Sequence, residues 1–222
     1  MEYQGPEPAD LANVNALNRA FLDWLRVTGP AKPLQQGLPP DIGVALVGLD
    51  RRQLERLARV PFLLMSLREY DDIRWRSLFA DQRSMDLLRP LQAADEDAAR
   101  LVSAGLGFLW QLAMRNPYAA RLVSGASLNW CEQLADCTLM ELYTRVAEEE
   151  PLLEPRMTDC PELWNKLLTA GVSGRRDVRI AARVSALQTV LTRGPATAYR
   201  QLATAACAMP AASMRIAERP RR

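Results

Sequence analysis

The chain has 222 residues, with 28 basic and 26 acidic side chains, a formal charge of +2 and no histidine. That length holds one large domain or two small ones. It is enough to bury a core without disulfide or metal staples. The lack of histidine removes Ser-His-Asp and Cys-His catalysis, every His-containing zinc site and the usual proton shuttle near neutral pH. The chain is therefore read as a non-enzyme with no cofactor and no small-molecule substrate.

Apolar content of 49% and charged content of 24% are those of an ordinary globular chain. Uninterrupted apolar runs such as Ile42 to Leu49 fall far short of the ~20 residues that span a bilayer, so no membrane partner is expected. The opening MEYQGPEPAD is acidic and has no apolar signal region. Cys131, Cys137, Cys160 and Cys207 form no C-x-x-C pair, which points to reduced thiols and a cytoplasmic location.

β-branched residues are sparse and period-two alternation is hard to find, so the elements read as helices. Residues 1–12 are expected to be flexible. Leu11 to Val27 forms a helix, with Leu17, Phe21, Leu22 and Leu25 at helical spacing, and Gly29-Pro30 stops it. Pro39-Pro40 keeps Lys32 to Pro40 in a loop. Asp41 caps a helix that buries Ile42, Ala45, Leu46 and Leu49. Asp50 caps the next, with Leu54, Leu57 and Ala58 inward and Arg51, Arg52, Glu55, Arg56 and Arg59 outward; Pro61 ends it. A short helix around Ile73 to Phe79 carries Trp75 and Leu78.

A connector over 81–100 follows, helical from Met85 to Leu91. Val102 to Met114 is a second long helix, stopped at Asn116-Pro117. Ser127 caps Leu128 to Ala135. Thr138 caps Leu139 to Glu149 through the T-x-x-E capping box with Glu141. Pro151 to Asp159 is a loop, and Cys160-Pro161 opens a short helix with Leu163, Trp164, Leu167 and Leu168. Gly171 to Gly174 is a hinge. Asp177 to Leu191 is a helix with Ile180, Val184, Leu187, Val190 and Leu191 as its stripe. Arg193-Gly194-Pro195 is a turn, Ala196 to Met209 a last helix, and 210–222 a disordered basic tail.

Charge is unevenly spread. Residues 171–222 hold ten arginines against Asp177 and Glu218, a balance of +8, whereas the preceding residues balance at −6. Arg175, Arg176, Arg179 and Arg183 lie on or beside one helix of that basic part, three and four apart. An acidic body with a basic end suits an acidic partner such as DNA. Arginine outnumbers lysine throughout (the only lysines are Lys32 and Lys166), so a compositional bias contributes to this excess.

The acidic runs Asp71-Asp72, Asp95-Glu96-Asp97 and Glu148-Glu149-Glu150 read as solvated faces, since adjacent helical residues do not converge on a metal. Cys131 and Cys137 read as small core residues. Gly105 and Gly107 sit in a helical pattern without a preceding strand and make no phosphate loop.

The chain aligns with itself. Gly37 to Ser66 lies over Gly125 to Pro155, with Leu46 on Leu134 and Leu54 on Leu142, each 88 positions apart. Phe21 falls on Phe108, Leu25 on Leu112 and Pro30 on Pro117 at 87; Trp75 falls on Trp164 and Leu78 on Leu167 at 89. This is the pattern of two diverged copies of one helical unit, over 13–80 and 101–169, followed by a basic segment over 170–209. Each copy holds a short helix, a tight turn and a second helix, as helix-turn-helix geometry requires. In the first copy the second helix offers Arg51, Arg52, Gln53, Arg56 and Arg59. In the second copy it offers Met140, Glu141, Thr144, Arg145, Glu148 and Glu149, where carboxylates repel phosphates. An ordinary pair of helical hairpins remains the alternative.

Asn15 to Leu22, Gly37-Leu38, Ile42, Leu46, Leu49, Gln53-Leu54, Leu57-Ala58 and Phe62-Leu63 together resemble the FlhD family of bacterial flagellar transcriptional activators. Leu134-Ala135, Thr138-Leu139 and Glu141-Leu142-Tyr143 resemble the same stretch in the second copy. The chain departs from that family in carrying two copies, in its arginine-rich third segment, and in lacking the zinc-binding cysteine cluster of the family's FlhC partner. The resemblance implies an all-helical regulator that oligomerises and acts through a protein partner, and it transfers no catalytic residue. The sequence thus predicts an all-α protein of two tandem helical units plus a C-terminal helical segment. Its expected role is transcription regulation through DNA, a protein partner or a homo-oligomer. The alternative is a helical adaptor or secretion-associated interaction protein that never touches nucleic acid.

Overall fold

The computed structural model describes residues 5–27, 36–80, 95–147 and 152–207, with the backbone alone from residue 193 onward. It is mostly helical, as expected. The helices are α1 (Pro8–Arg26), α2 (Pro40–Val47), α3 (Arg51–Ala58), α4 (Asp72–Ala80), α5 (Glu96–Arg115), α6 (Pro117–Ser124), α7 (Leu128–Asp136), α8 (Leu139–Ala147), α9 (Pro161–Lys166) and α10 (Arg176–Cys207). A π-helical turn, Leu167–Gly171, extends α9. Two short strands, β1 (Met65–Ser66) and β2 (Glu154–Pro155), pair antiparallel.

One continuous core runs from Val14 to Val190. The long helices α1 and α5 pack against each other, with Phe21, Leu22 and Leu25 of one and Leu106, Leu109 and Leu112 of the other buried. Asn18, buried on α1, ties the loop after α3 to that helix. Its amide donates to the carbonyls of Ala58 (3.1 Å) and Phe62 (2.9 Å), and its oxygen accepts from Leu64 N (2.7 Å). This saturates a polar group that would otherwise be costly to bury. Arg26 donates to the carbonyls of Val47 and Leu49, both at 3.0 Å, closing the end of α1 onto α2.

The strand ribbon departs from the sequence expectation: it joins residues 65–66 to the stretch Pro151 to Asp159, whose sequence predicts a loop. Its surroundings correspond at a spacing of 89. Met65 pairs with Pro155 and Ser66 with Glu154. Arg68 and Met157 both have positive φ, 53° and 55°. The Trp75 indole donates to the Leu67 carbonyl (3.2 Å), and the Trp164 indole to the Arg156 carbonyl (2.8 Å).

Several expectations are corrected. Asn116-Pro117 stops α5 as expected and also opens a helix that the sequence reading lacks: Asn116 caps α6 by accepting from Ala119 N at 3.0 Å, and Pro117 occupies its first position, where a missing N–H costs nothing. Gly125, at φ 70°, ends α6, and a Cβ there would lie 2.4 Å from Val190 Cγ1. No turn forms at Arg193-Gly194-Pro195. The backbone stays helical from Arg176 to Cys207, because a proline deletes one helical hydrogen bond without necessarily ending a helix established on both sides of it. On α2, Gly43 is buried and Ala45 exposed. On α10 the inward face is Ala182, Ala186 and Val190, while Ile180 and Val184 are exposed. The expected helix at 85–91, most of the loop after α1, Glu148 to Pro151 and the tail over 210–222 lie outside the described residues.

Candidate nucleic-acid interface

Helix α3 is short and owes its start to its cap. Asp50 Oδ1 accepts from Gln53 N at 2.8 Å and Gln53 Oε1 accepts from Asp50 N at 2.8 Å, a reciprocal capping box. Leu54, Leu57 and Ala58 are buried against α1 and the π turn. That seating fixes the direction of the other face. Arg51, Arg52 and Arg59 are exposed, and Arg56 is half-buried.

The structure brings the two arginine sets of the sequence together. Arg183 of α10 donates to the Arg56 carbonyl at 2.8 Å, and Arg56 donates to the Val172 carbonyl at 3.0 Å. Arg179 donates to the carbonyls of Ser173 and Gly174, both at 2.8 Å. These arginines satisfy carbonyls at the C-terminal end of α3 and of the turn before α10, where cations are favoured. Burial lowers the Arg183 pKa first, and the neighbouring charges of Arg179 and Arg59 lower it further. Its Nε is buried with no hydrogen-bond partner among the described residues. Arg59, Arg179 and Arg183 thus lie close enough to repel one another.

The eight candidate arginines fall into three groups. Arg56, Arg179 and Arg183 bridge α3, the 172–174 turn and α10, so part of their donor capacity is spent on the fold. Arg52, Arg59 and Arg176 are exposed and form no ion pair among the described residues. Arg51 pairs with Glu55 at 3.3 Å and Arg175 with Asp177 at 2.6 Å. The Arg175 hydrogen bond holds the Asp177 carboxyl below its ordinary pKa. Both of these pairs are exposed and contribute little to stability.

The corresponding hairpin, α7 and α8, has another surface. Ser127 Oγ caps α7 by accepting from Trp130 N at 3.1 Å. Thr138 and Glu141 form the expected capping box, at 3.2 Å and 2.8 Å, whose hydrogen bonds lower the Glu141 pKa. Met140 and Glu141 are exposed. Arg145, read as outward from the sequence, turns inward to Phe79 O (3.4 Å) and Cys137 Sγ (3.5 Å). Glu148 and Glu149 lie outside the described residues.

Sequence reasoning missed a densely bonded buried cluster among the described residues. Arg156 and Glu69, each with a side chain 1% exposed, form a buried ion pair. Arg156 also donates to Leu63 O (2.5 Å), Met65 O (2.8 Å) and the Tyr70 hydroxyl (3.0 Å). Glu69 accepts from Ser66 Oγ and Leu67 N, both at 2.8 Å. Burial pushes the Tyr70 phenol up to about 12. All these groups serve one another beside the β1–β2 ribbon, and the two charges are sealed from solvent, so the cluster supports the fold and offers no reaction site. No local signal marks it, since its members are 86 and 87 positions apart.

Among the described residues no group of three or more Cys, Asp or Glu converges to hold a metal. Asp95 caps α5 by accepting from Ala98 N at 2.9 Å, and Glu96 and Asp97 both hold Arg100. Cys131 is buried and its thiol is pushed up to about 12, which keeps it unreactive near neutral pH. An open groove of about 750 Å³ between α1 and α5 has a floor that includes Leu17, Ala20, Leu101 and Phe108. Asp23 and Asp97 on its rim are already paired with Arg19 and Arg100. Among the described residues no helix is long and apolar enough to cross a membrane. No family model, curated protein or solved structure matches the chain.

Proposed function

We propose that the chain is a transcriptional regulator or co-regulator that engages DNA through the joint face of α3 and the start of α10. The observation that carries this reading is the Arg183–Arg56 contact at 2.8 Å. It fuses the arginines of a helix-turn-helix-like hairpin with those of the basic C-terminal segment. Arg52, Arg59 and Arg176 are the side chains left free on or beside that face to meet phosphates, and the exposed turn of α3 is the part shaped to enter a major groove. The FlhD-like motifs over 13–80 and 101–169 support the same reading, as does the recurrence of ribbon, positive φ and indole contact at a spacing of 89.

The test is equilibrium binding of the full chain to a labelled mixed-sequence duplex across salt. A phosphate-neutralising face gives a slope of log affinity against log salt of about −0.9 per contact. Absence of salt-dependent binding at low ionic strength sinks the DNA reading. The adaptor reading then stands, favoured by the arginines already spent on backbone carbonyls and by exposed Met140.

A further inference from the structure

The ribbon pairing has a symmetry of its own. A shift of 89 carries Met65 to Glu154 and Ser66 to Pro155, so the Met65–Pro155 pair maps onto the Glu154–Ser66 pair with the partners exchanged. A contact in which residue i meets j′ and j meets i′ is the mark of a two-fold axis. The positive φ at Arg68 and Met157, and the indole contacts of Trp75 and Trp164, are related by the same shift. The capping boxes starting at Asp50 and Thr138 are related by 88. The two units also cross the axis: Trp75 of the first stacks edge-on against Trp130 of the second at 5.1 Å, and α9 of the second packs on α2 of the first.

Such an axis relates the outward-facing residues of α3, exposed or half-buried, to those of α8. At the spacing of 88, Arg51, Arg52, Gln53 and Arg56 correspond to Leu139, Met140, Glu141 and Thr144. The related face carries no arginine at those positions, and Arg183 of α10 adds its charge to the α3 side. The symmetry of the backbone is therefore not shared by the charge.

We infer that the chain is an internal pseudo-dimer that contacts duplex DNA through one of its two hairpins, so that one chain occupies one non-palindromic half-site. This rests on the DNA reading above. A symmetric dimer with two basic hairpins spans two half-sites about one helical turn apart. This chain has the scaffold for that arrangement and the chemistry for half of it. The arginine of α8, Arg145, turns inward to Phe79 O and Cys137 Sγ, and exposed Glu141 repels a second backbone.

The test uses the full chain and a labelled mixed-sequence duplex of about 12 bp, a little over one turn, in sedimentation equilibrium at low salt. The variants are R52E/R59E on α3 and M140E/T144E on α8, at exposed positions except for half-buried Thr144. The expected result is one chain per duplex, binding weakened at least tenfold by R52E/R59E, and binding by M140E/T144E within twofold of the native protein. Two duplexes per chain, two chains required per duplex, or equal sensitivity to both variants overturns the inference and leaves DNA binding in place. No salt-dependent binding by the native chain overturns the DNA reading and this inference with it.

Discussion

Replacing Arg156 by methionine removes a guanidinium that holds Glu69, the Tyr70 hydroxyl and the carbonyls of Leu63 and Met65 in a fully buried site. Methionine keeps most of the volume, so the cost is electrostatic and not a cavity. Glu69 retains its bonds from Ser66 Oγ and Leu67 N but loses its counter-charge. Orphaning one member of a buried ion pair costs about 3–5 kcal/mol. Domains of this kind are stable by about 5–15 kcal/mol in total, so R156M loses roughly a fifth or more of that. If the orphaned charge is the cause, neutralising it restores stability: R156M/E69Q should be more stable than R156M by about 1–3 kcal/mol. Urea denaturation followed by tryptophan fluorescence gives each midpoint and slope. A cost below 1 kcal/mol for R156M, or a double variant no more stable than R156M, refutes the account of the cluster.

Three further outcomes follow from the same geometry. Asp50→Ala removes the capping box of α3 and should cost about 1 kcal/mol in urea unfolding, while Gln53→Ala, which leaves Asp50 Oδ1 on the Gln53 N–H, costs less. Gly125→Ala places a Cβ 2.4 Å from Val190 Cγ1 at a φ of 70°, so its melting temperature falls by several degrees, and Val190→Ala recovers part of that loss. Tyr70 and Cys131 have pKa values raised by burial to about 12, so the fold favours their neutral forms. Their contribution is complete below the unfolded values of 10 and 9 and is lost as pH rises through about 12. The urea midpoint should therefore fall above about pH 9, less steeply in Cys131→Ala; an unchanged midpoint at pH 11 would contradict this.

The parts of the fold governed by local chemistry were legible. Leu54, Leu57 and Ala58 lie three and four apart, and they seat α3 as their spacing requires. Ser127 and the Thr138–Glu141 pair start α7 and α8 where cap chemistry places them. The misreadings come from proline and from long-range contacts. Pro117 ends α5 as expected but also opens α6, and Pro195 lies within a helix, because what a proline does depends on the hydrogen bonds its neighbours keep. On α10, hydrophobicity pointed to Ile180 and Val184, but close approach to the π turn and to Gly125 selects small Ala182 and Ala186 with Val190. Of the candidate site, the residue types were readable, whereas the contact of Arg183 with Arg56 joins positions 127 apart and needs the fold. Arg156 looks in sequence like any exposed arginine; only its burial beside Glu69 sets it apart.

The central claim is that the free arginines of the α3–α10 face meet DNA phosphates. The most direct measurement is the salt slope of duplex binding for the native chain and for R52A/R59A/R176A, which changes exposed side chains and leaves the bonds of Arg56, Arg179 and Arg183 intact. Each phosphate contact contributes about 0.9 to that slope. The triple variant should bind more weakly at low salt, with a slope shallower by up to about 2.7. A slope and affinity equal to those of the native chain would contradict the claim.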